Sequence, residues 1–276
     1  MTKAEKCVVV CGGFDDIRSS DLRFLQEASR FGCLHVLLFD DESLVSATGE
    51  EPKFPQDERL YFLQAIRFVD KVHLVTQKTN RQDLPSVEGI HPNIWTVLQS
   101  DDTPAKQAFC KSKGLDYRIL SKRDLVGFPD TLETEPYETT LKKVLVTGCY
   151  DWFHSGHVRF LEEVSELGEV YVVVGHDANV RALKGQGHPM FPQAERRYMV
   201  QSIRFVRQAL ISTGHGWLDA EPELKKIKPD IYALNEDGNR PEKRKYCQEH
   251  GIEYIVLNRL PREGLPKRES SVLRGF

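Results

Sequence analysis

Two kinds of apolar pattern alternate along the chain. Short continuous apolar runs at 7–11, 34–39, 144–147 and 170–175 are separated by stretches such as 22–31 and 158–167, where apolar residues recur at helical spacing. The first kind reads as buried strand and the second as helix with one apolar face. The first half predicts strand 7–11, helix 22–31, strand 34–39, a polar loop, helix 56–69 and strand 71–75, then strand 94–98, helix 104–113 and strand 117–120. The second half predicts strand 144–147, helix 158–167, strand 170–175, a polar loop, helix 193–206 and strand 208–211. It continues with a short helix 221–227, strand 231–234, helix 241–250 and strand 253–257. Strands that are apolar throughout and alternate with helices build a parallel sheet covered on both faces. The expected fold is α/β, with two tandem Rossmann-like domains, each a parallel sheet with helices on both faces. Ligands in such sheets bind beyond the carboxyl ends of the strands.

The halves also match residue by residue. Gly12 pairs with Gly148 at an offset of 136, and Asp15, Arg23-Phe24-Leu25 and Gly32 pair with Asp151, Arg159-Phe160-Leu161 and Gly168. After a one-residue insertion, F-P-Q-D-E-R at 54–59 meets F-P-Q-A-E-R at 191–196, and I-R-F-V at 66–69 meets I-R-F-V at 203–206. A repeat this long is a duplicated domain rather than a solenoid unit. The expected boundaries are a domain over 1–122, a linker over 123–141 and a domain over 142–276. The I-R-F-V runs, read as helical, suit either the core or an interface in an intramolecular pseudo-dimer, and a homodimer of whole chains stays open.

Where the halves differ, the difference is polar. The second half carries His154-Ser155-Gly156-His157 where strand hands over to helix. Residues three apart on a first helical turn share a face, and the N–H groups and positive dipole end there favour phosphate. Gly156, lacking a side chain, lets a ligand approach the backbone. The first half has Arg18-Ser19-Ser20-Asp21 at that place, with a carboxylate that repels phosphate. Lys184-Gly185 lies in the polar loop of the second half, against Thr48-Gly49 in the first, and the Ser270-Ser271 pair has no counterpart after Leu120. Any chemistry therefore belongs to the second half, with the first expected to be inactive. Taken singly, the histidines also fit a surface cap, Lys184-Gly185 a plain turn, and Trp152 either a pocket wall or core packing. Asp151 fits a structural role equally, because Asp15 is kept. The i, i+4 histidines and glutamate of a helical zinc motif are missing.

The Gly148-Cys149-Tyr150-Asp151 run followed by His154-Ser155-Gly156-His157 resembles the signature of the HxGH nucleotidyltransferase superfamily. It is most similar to the cytidylyltransferases that activate phosphocholine, phosphoethanolamine and glycerol 3-phosphate. The Lys184-Gly185 pair, the A-E-R-R-Y run at 194–198 and a terminal arginine before serines belong to the same resemblance, and the tandem layout resembles that of ethanolamine-phosphate cytidylyltransferases. The resemblance implies transfer of a nucleotidyl group, CMP from CTP, to a small phosphomonoester with release of pyrophosphate. Adenylyl transfer within the superfamily and a catalytically silent nucleotide-binding sensor or scaffold are the alternatives. It implies catalytic roles for His154, His157, Lys184 and Arg262. Nucleotide contacts are implied for Thr147, Gly148, Cys149, Tyr150, Asp151, Gly156, Asn235, Asp237, Arg268, Ser270 and Ser271. Mg²⁺ is expected on the phosphates, held by substrate oxygens and water and not by a protein ligand set. Two departures stand out. Arg262 is separated from the serine pair, so Arg262 and Arg268 compete for the terminal-arginine role, with Arg262 favoured by the preceding Leu260-Pro261. Asn235-Glu236-Asp237 lacks the usual leading glycine.

Composition narrows the classes. With 40% hydrophobic and 29% charged residues among 276, a packed core is expected. A formal net charge of -3 gives no electrostatic case for nucleic acid or an anionic membrane. The chain starts almost directly in a strand, which predicts neither a secretory leader nor an integral membrane span. Six cysteines without CxxC spacing fit free thiols in a reducing cytoplasm.

Overall fold

The computed structural model describes residues 6–76, 82–129 and 140–273, and the chain forms two compact units, Met1–Gly127 and Phe128–Phe276. The first contains β1 (Cys7–Gly12), α1 (Ser19–Ser29), β2 (Cys33–Phe39), α2 (Asp41–Thr48) and α3 (Gln56–Gln64). It ends with β3 (Lys71–Val75), β4 (Ile94–Leu98), α4 (Pro104–Lys113) and β5 (Asp116–Leu120). The second contains β6 (Lys143–Gly148), α5 (Ser155–Ser165), β7 (Glu169–Val174), α6 (Asp177–Lys184), α7 (Gln193–Gln201) and β8 (Val206–Ile211). Then follow α8 (Glu221–Ile227), β9 (Ile231–Asn235), α9 (Pro241–Glu249), β10 (Glu253–Leu257) and α10 (Ser270–Leu273).

Each unit is a parallel five-stranded sheet. The orders are β3-β2-β1-β4-β5 and β8-β7-β6-β9-β10, so the two sheets share one topology. The central strands are buried on both faces, as in Val8-Val9-Val10 and Val144-Leu145-Val146. Leu145 and Tyr232 pack with Leu224 of α8 and Tyr246 and Cys247 of α9 in one core cluster. In each unit the sheet changes direction at its first strand, opening a crevice at the carboxyl ends of β6 and β9 in the second. Gly32 and Gly168 sit at φ +153°, and a Cβ on either would lie 2.1 Å from the carbonyl oxygen of Lys6 or Lys142, so only glycine fits that turn.

The structure departs from the sequence reading in three places. The polar loops contain helices, α2 and α6. Asp40 caps the first by accepting from the Ser43 N–H at 2.8 Å, and His176 caps the second by accepting from the Asn179 N–H at 3.3 Å. The I-R-F-V runs are not helical. Helix α7 stops at Gln201, and Ile203 and Val206 turn into the core of their own unit to feed β8. The expected linker start at 123 also shifts, because buried Arg23 donates to the Asp124 carbonyl at 3.1 Å and holds that residue to the first unit. At the other end, the Phe128 ring lies 5.5 Å from Tyr198 of the second unit. Residues 130–139 of the linker lie outside the described residues. No helix among the described residues is long and apolar enough to cross a membrane.

Candidate active site

The second unit contains a cavity of about 490 Å³ at the carboxyl ends of its strands. Helix α5 supplies the histidines. His154 is the residue that caps it and His157 the third residue within it. The Gly156 N–H donates to His154 Nδ1 at 3.1 Å, and the His154 N–H donates to His157 Nδ1 at 3.3 Å. Two helix-end donors are thereby satisfied reciprocally, as in a capping box. The consequence is chemical. With each Nδ1 accepting from the backbone, a neutral ring must carry its proton on Nε2. His154 Nε2 is buried with no hydrogen-bond partner among the described residues. Burial, with Arg259 and Arg268 nearby, pulls the His154 pKa down to about 3. Burial, the His154 ring 4.0 Å away, Arg259 and Lys184 pull His157 well below the ordinary histidine value. Both rings are neutral N–H donors at physiological pH.

Gly156 has a different use from the one expected. A Cβ there would meet His154 Cε1 at 2.9 Å and Nδ1 at 3.0 Å. The space beside its backbone is filled by the histidine that caps the helix. Tyr150, at φ +53°, folds its ring over Gly148, where a Cβ would come within 2.7 Å of the ring. Phe14 at φ +48° does the same over Gly12 in the first unit, so this turn belongs to the scaffold.

The cavity is compatible with nucleotide chemistry, and the comparisons with known proteins bear on it directly. Residues 145–260 match the family model described as cytidylyltransferase-like. The chain is 36% identical over 120 residues to the FAD synthase of Ferroglobus placidus, covering 42% of this chain and 75% of that protein. It is 37% identical over 122 residues to the FAD synthase of Thermococcus kodakarensis, covering 43% of this chain and 79% of that protein. The chain belongs to the cytidylyltransferase-like family. It is also 41% identical over 96 residues to the bifunctional protein HldE of a Nitratiruptor species, covering 34% of this chain and 20% of that protein. A solved lipopolysaccharide core biosynthesis protein from Thermoplasma volcanium superposes with a TM-score of 0.37 at 25% identity, covering 47% of this chain and 99% of that one.

This nucleotidyltransferase gathers most of the residues expected at its site. Thr147, Gly148, Cys149, Tyr150, Asp151, His154, Gly156, His157, Lys184, Asn235, Asp237, Ser270 and Ser271 all line the cavity. Several hold jobs other than those expected. Lys184 is the last residue of α6 and not part of a loop. The Asp151 carboxylate accepts from the Met190 and Phe191 N–H groups at 2.7 and 3.1 Å, so it pins the 188–191 segment. Asp15 does the same for Lys53 and Phe54, both at 2.8 Å, which makes the aspartate a scaffold residue in both units. Burial raises the Cys149 pKa and keeps the thiol neutral. Trp152 packs edge-on against Phe191 and lies outside the cavity lining. The Ser270 hydroxyl opens α10 and donates to the Trp152 carbonyl at 3.1 Å.

The arginine assignment changes. Arg262 lies outside the cavity, with Nη1 donating to Glu162 at 3.2 Å. Arg268 lines a small neighbouring pocket with Gly156 and Phe160. Two guanidiniums line the cavity: Arg240, 4.6 Å from the Trp217 ring, and Arg259, just past β10, held by Asp237 at 3.0 Å. The position of Arg259 as the first arginine after the last strand was the available signal, masked by the Leu260-Pro261-Arg262 pattern. Lys243 was missed too. It is buried, lines the cavity and donates to Thr147 Oγ1 at 3.2 Å, and burial lowers its pKa. Lys106 stands at the same place in the first unit, so the contrast between the halves does not single the lysine out.

In the first unit the cap is Arg18 and Asp21, the Arg18 N–H donating to the Asp21 carboxylate at 2.8 Å. Arg18 and Asp21 stand where the second unit has its two imidazoles. No cluster of three or more His, Cys, Asp or Glu suited to a metal ion occurs among the described residues. The set present fits an ion carried in on phosphates, to which Asp237, 60% exposed and lining the cavity, offers an oxygen.

Proposed function

We propose that the second unit transfers AMP from ATP to the phosphate of a small phosphomonoester, releasing pyrophosphate, and that the first unit is catalytically silent. The observation that carries the transfer is the pair of neutral imidazoles whose Nε2–H groups serve as fixed donors at the cavity. The preference for adenylyl over cytidylyl transfer rests on relatives named FAD synthase, whose product joins AMP to a flavin phosphate. Flavin mononucleotide is therefore the first acceptor to try.

The second pKa of a phosphomonoester is about 6, so the nucleophile is already anionic at neutral pH and needs no general base. Its oxygen forms a bond to the α-phosphorus while the bond to the bridging oxygen of the leaving pyrophosphate breaks. The barrier lies in bringing anions together in line and in the charge gathering on the leaving group, so fixed donors and positioning supply the catalysis. His154 and His157 donate Nε2–H to phosphate oxygens. Arg259 offers a planar fork suited to phosphate, and Lys184, at the end of α6, adds an exposed charge at the rim. Ser270 and Ser271 flank the nucleotide. Mg²⁺ brought in on the phosphates would be met by the Asp237 carboxylate and would neutralise phosphate charge.

The test mixes the protein with ATP, CTP, GTP or UTP, Mg²⁺ and a panel containing FMN, glycerol 3-phosphate, phosphoethanolamine and phosphocholine, and follows pyrophosphate. Release with ATP that His157→Ala abolishes supports the proposal. Release with CTP alone replaces the base assignment. Tight nucleotide binding without pyrophosphate from any pair overturns the transfer.

A further inference from the structure

Strands β6, β7 and β8 progress in one direction across the sheet and β9 and β10 in the other. Right-handed crossovers therefore place α5 on one face and α8 and α9 on the opposite face. The histidines enter the cavity from the first side, and Lys243, on the first turn of α9, enters from the second. Between them stands the tip of β6, where Thr147 Oγ1 hydrogen-bonds the Tyr232 hydroxyl at 2.8 Å and accepts from Lys243 Nζ.

Lys243 is only 9% exposed. An ammonium has three N–H donors, and the bond to Thr147 is its one hydrogen bond among the described residues. Nor does it form an ion pair among those residues. The two carboxylates that attract it are engaged elsewhere, Asp219 accepting from the Ser212 hydroxyl at 2.7 Å and Asp237 pairing with Arg259. The Tyr232 ring lies 5.8 Å from Nζ, a weak partner for a buried cation. A charge this far out of water, with donors left over and a cavity beside it, calls for an anion. In the first unit, where Cys11 replaces Thr147, Lys106 instead donates outward to the Asp101 carbonyl at 2.7 Å.

In-line displacement fixes which anion. The attacking oxygen and the leaving pyrophosphate must stand on opposite sides of the α-phosphorus. Donors on α5 serve the triphosphate, so a cation arriving from the opposite face of the sheet stands where the nucleophile would be held. We propose that Lys243 holds the phosphate of the attacking substrate, with Thr147 aiming its ammonium. This inference rests on the transfer reaction proposed above.

The experiment uses the full chain, wild type and Lys243→Met, Lys243→Gln and Lys243→Arg, saturated with the non-hydrolysable analogue α,β-methylene-ATP. Inorganic phosphate is then titrated by calorimetry, and the analogue is titrated separately. Lys243→Met keeps its affinity for the analogue within about twofold and loses about tenfold or more for phosphate, while Lys243→Arg keeps most of the phosphate binding. Circular dichroism checks folding, and Lys243→Gln stands in should the methionine variant fail to fold. Phosphate binding unchanged in the neutral variants overturns the proposal. So does a parallel loss of analogue affinity, which would assign Lys243 to the nucleotide, or a wild type that binds no phosphate. Failure of the transfer reading shows separately, as no pyrophosphate from any triphosphate.

Discussion

Gly156→Ala isolates the imidazole geometry from the fold. The glycine is the second residue of α5, and its backbone does not need positive φ. The added Cβ would lie 2.9 Å from His154 Cε1 and 3.0 Å from Nδ1, closer than a real Cβ tolerates, so the ring must swing aside. Moving it weakens the Gly156 N–H to Nδ1 bond, a cap interaction worth about 1 kcal/mol. Alanine returns roughly 0.8–1 kcal/mol through helix propensity. Stability is therefore nearly conserved while the Nε2–H donor loses both its tautomer lock and its aim. A displacement of this size costs roughly a hundredfold in rate when positioning supplies the catalysis. The assay is pyrophosphate release at saturating ATP and acceptor, with a thermal melt on the same samples. A kcat reduced about a hundredfold with a melting point within a few degrees of wild type is expected. A kcat within about threefold of wild type would refute the argument that His154 acts from this rotamer.

Arg259→Ala should lower kcat by roughly two to three orders of magnitude, whereas Arg262→Ala, removing a half-exposed pair with Glu162, should change it by less than about twofold. Steady-state kinetics on both variants decides between the two arginines. Asp151→Asn and Asp15→Asn should each destabilise by about 1.5–3 kcal/mol in denaturant titrations, because each removes a charge that accepts two backbone N–H groups. The histidines also set an acid limit. Their folded pKa values lie below the unfolded value, so the unfolded chain binds more protons as pH falls through about 6.5. Stability then drops by at most about 1.4 kcal/mol per pH unit for His154 until its folded pKa near 3 is reached, and His154→Gln should flatten that part of the melting-temperature profile.

The strands were readable because their apolar runs are continuous and the halves repeat them, and every predicted strand is present within a residue or two of its expected span. Helices α2 and α6 were hidden because each is only 8 residues long, too short for a helical period to stand out from a polar loop. Capping by Asp40 and His176 holds them, a tertiary detail that spacing does not reveal. At the site, the His154–His157 pair stood out through its contrast with Arg18–Asp21. The E-R run, part of the family resemblance, turns out to be structural. Arg196 is fully buried and ties together the carbonyls of Phe191, Cys149 and Gly175 with the Asp177 carboxylate, and Arg59 repeats this in the first unit. Identity between the halves marks such braces, but it also concealed Lys243, a lysine shared in sequence whose surroundings differ.

The most direct test is a nitrogen-15 imidazole spectrum of the full chain, recorded across neutral pH and then with ATP and Mg²⁺. The account predicts His154 and His157 as neutral rings with protonated Nε2 and bare Nδ1, and both Nε2 signals moving when ATP is added. Either ring found charged or protonated at Nδ1, or an ATP titration that leaves both signals in place, would contradict it.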